Sequence, residues 1–140
     1  MAITPRRDKD AIQSILDNDA FIERAGFKSE NIRTTGASSD IINTKDPEFQ
    51  IFIESGSPEG GSEITKNLVY VITVSGKRAN SQRIDEVCEQ IIALLDRKEL
   101  GAGHYLYLLD APMELASDPA VYLVETTFLC QCTNFNVVRK

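Results

Sequence analysis

Between residues 7 and 18 the apolar positions fall at Ala11, Ile12, Ile15 and Leu16, the three- and four-residue spacing that lines one narrow face of a helix. Asn18-Asp19 interrupts that pattern and can cap a short second helical segment through Phe21 and Ile22, with Gly26 placed to end it in a left-handed conformation. Residues 28–47 are rich in Ser29, Asn31, Thr34, Thr35, Gly36, Ser38, Ser39, Asp40, Asn43, Thr44 and Asp46, side chains that hydrogen-bond locally and favour turns. Such a connection is long for a compact domain. Within it only Ile32 and the pair Ile41-Ile42 suit a short edge strand.

A strand period follows. Phe49, Ile51 and Ile53 alternate with Gln50, Phe52 and Glu54, and after the Gly- and Ser-rich stretch 55–62 a β-branched run, residues 68–75, ends at Gly76. The two runs predict an antiparallel hairpin with an extended tip. The clearest element comes next. Ile84, Val87, Cys88, Ile91, Ile92 and Leu95 keep a helical spacing behind the N-cap candidates Asn80 and Ser81. Acidic Asp85, Glu86 and Glu89 lie early, Arg97 and Lys98 late, and Gly101 is the expected C-cap. Residues 105–109 and 120–132 read as two more strands, separated by the turn-rich stretches 110–113 and 117–119. On the last strand Tyr122, Val124, Thr126, Phe128, Cys130 and Cys132 share one face.

This order predicts an α+β fold in one domain spanning residues 1–140: a mostly antiparallel four-stranded sheet, with room for one extra short edge strand, helices on one face, and mobile loops at about 28–47 and 55–66. The expected core is Ile12, Leu16, Ile84, Val87, Cys88, Ile91, Ile92, Leu95 and Phe128. Phe52, Val69 and Val71, together with Leu106 and Leu108, are expected on the opposite side of the sheet. A sheet apolar on both sides points to a partner surface.

Composition narrows the function classes. Apolar residues make up 42% and charged residues 26%, the balance of an ordinary globular chain. The 15 basic and 21 acidic residues leave a net charge of -6, which argues against tight nucleic-acid binding, driven as it is by neutralising phosphates. The longest apolar stretches, residues 68–74 and 120–124, fall far short of a membrane helix. The start Met1-Ala2-Ile3-Thr4-Pro5-Arg6-Arg7-Asp8 turns charged at once, so export is not expected. Three cysteines are an odd and sparse set and suit a reducing compartment.

No catalytic constellation can be assembled from the pattern. His104, the one histidine, follows Gly101-Ala102-Gly103 with no placeable partner and is expected to be an ordinary strand-end residue. Cys130 and Cys132, two apart on a strand, share a face and could hold a soft metal, with only Cys88 and His104 left to complete a set. The expectation is instead three buried thiols, Cys88 inert on its helix stripe, and no metal or cofactor. Ser57-Pro58-Glu59-Gly60-Gly61-Ser62 has the glycines of a phosphate loop without its lysine. The carboxylates Asp40, Asp46, Glu48, Glu54, Glu59 and Glu63 have no fixed ligand spacing and read as a solvated face. Arg6, Arg7 and Lys9, interrupted by Asp8 and Asp10, read as helix-surface charge. The chain is not expected to be an enzyme.

Five stretches carry a likeness. Phe21-Ile22-Glu23-Arg24-Ala25-Gly26 with Asp46-Pro47-Glu48-Phe49-Gln50-Ile51-Phe52-Ile53-Glu54 looks like the start of the small tail-terminator or tail-completion proteins of long-tailed bacteriophages. Leu68-Val69-Tyr70-Val71-Ile72-Thr73-Val74-Ser75-Gly76, followed by Asp85-Glu86-Val87-Cys88-Glu89-Gln90-Ile91-Ile92-Ala93-Leu94-Leu95, is similar to that family's long strand and helix. Glu125-Thr126-Thr127-Phe128-Leu129-Cys130-Gln131-Cys132 resembles its closing strand. The long 28–47 connection and the 110–119 insertion depart from the pattern. The resemblance implies a non-enzymatic virion protein, assembled in the host cytoplasm as a homo-oligomeric ring, commonly of six subunits. It implies a tail tube protein and a head connector or neck protein as partners, and DNA passing through the lumen without specific binding. Ser57, Glu59, Gly60, Gly61 and Glu63 are the expected lumen or interface loop. The rival expectations are another neck or connector protein, a small-molecule-binding α+β regulatory domain, or a metal-dependent enzyme with its metal on Cys130 and Cys132.

Overall fold

The computed structural model describes residues 5–25, 32–34, 50–55, 65–101, 103–115 and 121–133. Their elements run α1 (Pro5–Leu16), α2 (Asp19–Ala25), β1 (Ile32–Arg33), β2 (Gln50–Ser55), β3 (Thr65–Lys77), a 3-10 turn (Arg78–Asn80), α3 (Ser81–Leu95), β4 (Glu99–Gly101), β5 (His104–Glu114) and β6 (Val121–Thr133). The fold is α+β. One mostly antiparallel sheet has the strand order β1-β2-β3-β6-β5-β4. Its centre is the β3/β6 pair, in unbroken register from Thr65↔Thr133 to Lys77↔Val121, where the β-branched residues of both runs are concentrated.

Among the described residues the sheet has six strands where the pattern predicted four and room for one short edge. Ile32 supplies that expected edge, and β4 is a further short one. Ile32–Arg33 pairs parallel with Ile51 and Phe52 and is held from above by α1, whose Gln13 Nε2 donates to the Ile32 carbonyl (3.0 Å) and Lys9 Nζ to the Thr34 carbonyl (3.2 Å). Glu99–Gly101 pairs with the start of β5. Two or three residues carry too little periodicity to announce a strand. The pair Ile41-Ile42 lies outside the described residues, as do Gly26 and Phe49.

Two local expectations are corrected. The left-handed residue after α3 is Arg97 (φ 63°), not Gly101. Asp96 leaves the helix in an extended conformation, and the chain turns at once to pair β4, with Arg97 N–H donating to the Leu106 carbonyl (2.7 Å) and Leu106 N–H to the Lys98 carbonyl (2.9 Å). Gly101 is already inside β4, and the positive-φ glycine is Gly103 (φ 81°) at the β4–β5 turn. Residues 110–113 are strand, not turn. β5 continues to Glu114 through irregularities at Leu108/Asp110 and Asp110/Met113. Pro112 lies inside the irregularity between Asp110 and Met113, where the register with β6 is broken, the kind of place in a sheet that tolerates a proline. The cap expected at Asn18 is present: its Oδ1 accepts from Phe21 N–H at 2.9 Å. Asn80 is the N-cap residue of α3 but makes no side-chain capping bond.

The principal core lies between the helices and one sheet face. Ile12, Leu16, Ile84, Val87, Cys88, Ile91, Leu95 and Phe128 are all buried in it, joined by Ile51, Ile53, Tyr70, Ile72, Val74, Leu106, Val124 and Cys130, while Ile92 is only partly buried against it. Every sheet member of this set has the parity that the strand registers assign to one face.

Candidate functional site

The opposite face of the same strands is the first candidate. β5 register fixes it: His104, Leu106 and Leu108 oppose Cys132, Cys130 and Phe128, so they share the helix side, whereas Tyr105 and Tyr107 oppose Gln131 and Leu129. The expectation that Leu106 and Leu108 lie on the second face is thereby overturned. Leu106 is in the principal core and Leu108 packs against it. In their place the helix-free side presents Tyr105 (40% exposed) and Tyr107 (38%), and beyond the irregularity Met113 (59%), which opposes Glu125. Leu109, 40% exposed, lies at the irregularity itself. These are the exposed large apolar side chains among the described residues.

Beside this stripe, Phe52, Val121 and Leu123 form a second, smaller buried cluster against Leu115. Thr73 and Ser75, which oppose Glu125 and Leu123, are buried there as well. Their hydroxyl oxygens have no hydrogen-bond partner among the described residues, an arrangement that costs about 1–3 kcal/mol per group.

At the rim where β5 and β6 meet α3, Arg78 Nη1 bonds Glu114 Oε1 (3.1 Å) and its Nη2 donates to the Val121 carbonyl (3.1 Å). The guanidinium lies 5.5 Å from the centre of the Tyr122 ring. Tyr122 OH donates to Asp85 Oδ1 at 2.8 Å. That bond, then burial and the nearby negative charge, pushes the phenol up to about 12. The rim is exposed, so it orients side chains more than it stabilises the fold.

The second candidate is internal. Asp8, in the first turn of α1, is buried and meets two strands: its Oδ2 accepts from Tyr70 OH of β3 at 2.5 Å, and its Oδ1 lies 3.0 Å from His104 Nδ1 at the start of β5. Cys130 of β6 completes the group. One ligand-capable atom each from Asp8, His104 and Cys130 falls within 4.8 Å of the others. His104 is therefore no ordinary strand-end residue, for it has a buried carboxylate partner 96 positions away in sequence. Chemically the cluster can hold a proton between carboxylate and imidazole, or hold a cation. Cys88 is not a member of it. Burial, then the charges of Asp85 and Glu89, pushes that thiol up to about 12, so it is a poor nucleophile.

The sequence pattern gives Asp8 as surface charge, and the structure buries it. A signal for it exists: Asp8 stands four residues before Ile12 and eight before Leu16, on the stripe that faces the core. Tyr70, His104 and Cys130 likewise share strand parity with Ile72, Leu106 and Phe128. The expected loop residues Ser57, Glu59, Gly60, Gly61 and Glu63 lie outside the described residues. Of the six scattered carboxylates, only Glu54 lies within them. No helix among the described residues is long and apolar enough to cross a membrane. Neither a family model nor a curated protein matches the chain.

Proposed function

We propose that this chain is a structural virion protein of a long-tailed bacteriophage, a tail terminator or tail-completion protein that forms a ring, caps the tail tube and joins it to the head connector. The observation that carries this reading is the helix-free side of β5, where Tyr105, Tyr107 and Met113 stand exposed with Leu109 beside them. A head-to-tail ring needs such an apolar surface on each subunit to bury against a neighbour. The described parts of the five sequence stretches that resemble the family lie along α2, β2, β3, α3 and β6, which belong to this sheet and its helical cover. Charge suits the role too. Six copies at -6 each carry a formal charge of -36, and a negative lumen would let a DNA backbone slide without gripping it.

Electron microscopy of the purified chain tests the reading. The expected result is a closed ring with a central channel wide enough for duplex DNA, which binds the ends of tail tubes and stops their growth. Open filaments, or particles no larger than one subunit, would contradict it.

A further inference from the structure

Asp8, Tyr70, His104 and Cys130 lie on the helix side of the sheet, away from the face assigned to assembly, and the ring reading makes no use of them. We propose that Asp8, His104 and Cys130 form a binding site for a divalent transition metal of the zinc class, which ties α1 to β5 and β6. This proposal stands independently of the ring.

The donor set is the first argument. A carboxylate oxygen, an imidazole nitrogen and a thiolate sulfur are all zinc ligands, and their mixture favours borderline metals over magnesium or calcium. Spacing is the second. With metal–donor bonds of about 2.0–2.3 Å, neighbouring donors around a tetrahedral ion sit roughly 3.3–3.8 Å apart. Asp8 Oδ1 and His104 Nδ1 are 3.0 Å apart, and all three donors lie within 4.8 Å of one another, so small side-chain rotations close the shell.

Charge is the third. One carboxylate, one thiolate and a neutral imidazole balance a divalent cation, which matters where Asp8 is 4%, His104 8% and Cys130 0% exposed, because an unbalanced charge there is costly. The last argument is outer support. Tyr70, itself fully buried, donates to Asp8 Oδ2 and so fixes the carboxylate with Oδ1 turned toward His104, as partners of metal-bound carboxylates do. Three protein donors leave a fourth position.

The full chain, stripped with a chelator and dialysed, is titrated with cobalt(II) and then zinc(II), and folding is followed by circular dichroism. The expected result is one equivalent of cobalt, giving a thiolate-to-cobalt charge-transfer absorption that equimolar zinc abolishes. Zinc should also raise the melting temperature, and chelator should reverse the rise. Cys130→Ser should lose the charge-transfer band, and His104→Gln should weaken zinc by more than about tenfold, since even outer partners cost that much. Tyr70→Phe should keep the band and bind about 10–100-fold more weakly. A folded wild-type chain that takes up no cobalt would overturn the proposal, as would a band that survives in Cys130→Ser.

Discussion

Along β5, Leu106 is fully buried beneath the helices, while its neighbours Tyr105 and Tyr107 keep 40% and 38% of their surface exposed on the other side. The two sides of the sheet are made by the same strands and are both apolar, yet they are completed differently. On the helix side α1 and α3 supply the missing half of the core, and Asp8 binds Tyr70 and His104, although Gln90 Oε1 of α3 has no partner among the described residues. On the helix-free side the described residues provide only the small cluster of Phe52, Val121 and Leu123 with Leu115. There the buried hydroxyls of Thr73 and Ser75 have no partner among the described residues, and an apolar stripe stays wet. One side is a closed core. The other carries an exposed apolar stripe, which on the proposed reading is buried against another chain.

Substitutions can break that contrast. Ile91→Asp puts an unpaired carboxylate into the principal core and should cost on the order of 4 kcal/mol or more, enough to leave the chain unfolded by circular dichroism. A soluble, cooperatively melting Ile91→Asp chain would show that the helix side is not the core. Next, Leu106→Ala and Tyr107→Ala compare adjacent positions on one strand. The first should lose about 3 kcal/mol in denaturant unfolding. The second should lose about 1 kcal/mol or less in the monomer, its larger effect being on subunit association. Equal losses would erase the distinction between the sides.

Thr73→Val replaces a buried unpartnered hydroxyl with a methyl group and should raise stability by about 1 kcal/mol in the same assay. The last effect is one of alkaline pH, small just above pH 9 and growing toward pH 12. The Cys88 thiol is pushed from its ordinary value near 9 to about 12, so the folded state holds its proton where the unfolded state releases it. Stability should therefore fall as pH rises from about 9 toward 12. Cys88→Ala should flatten that fall, and an unchanged slope would place the thiol outside the closed side.

Much of this architecture was legible in the pattern because long elements repeat their signal. Five or six apolar positions at helical spacing located α3, and strand alternation assigned Tyr122, Val124, Thr126, Phe128 and Cys130 to one face. Short elements lack that redundancy: Ile32 suggests an edge strand only as a lone apolar residue among turn formers, and β4 gives no signal at all. The faces of Leu106 and Tyr107 depend on the register between β5 and β6, which a single strand's sequence does not contain. Asp110 and Pro112 looked like a turn because their local chemistry favours one, and the irregular pairing of β5 overrode it. The Asp8–His104 pair joins residues 96 positions apart. It was hidden because a carboxylate among arginines and lysines looks solvated until its place on the Ile12–Leu16 stripe is weighed.

The central claim is that the helix-free side of β5 is where subunits meet, and the mass of the particle in solution tests it most directly. Light scattering behind size exclusion should find the wild-type chain assembled, at about 93 kDa for six subunits of 15.5 kDa. A Tyr107→Glu chain should run as a folded single subunit. A wild-type chain that stays at 15.5 kDa at every loading, or a Tyr107→Glu chain that assembles as fully as the wild type, would contradict the account.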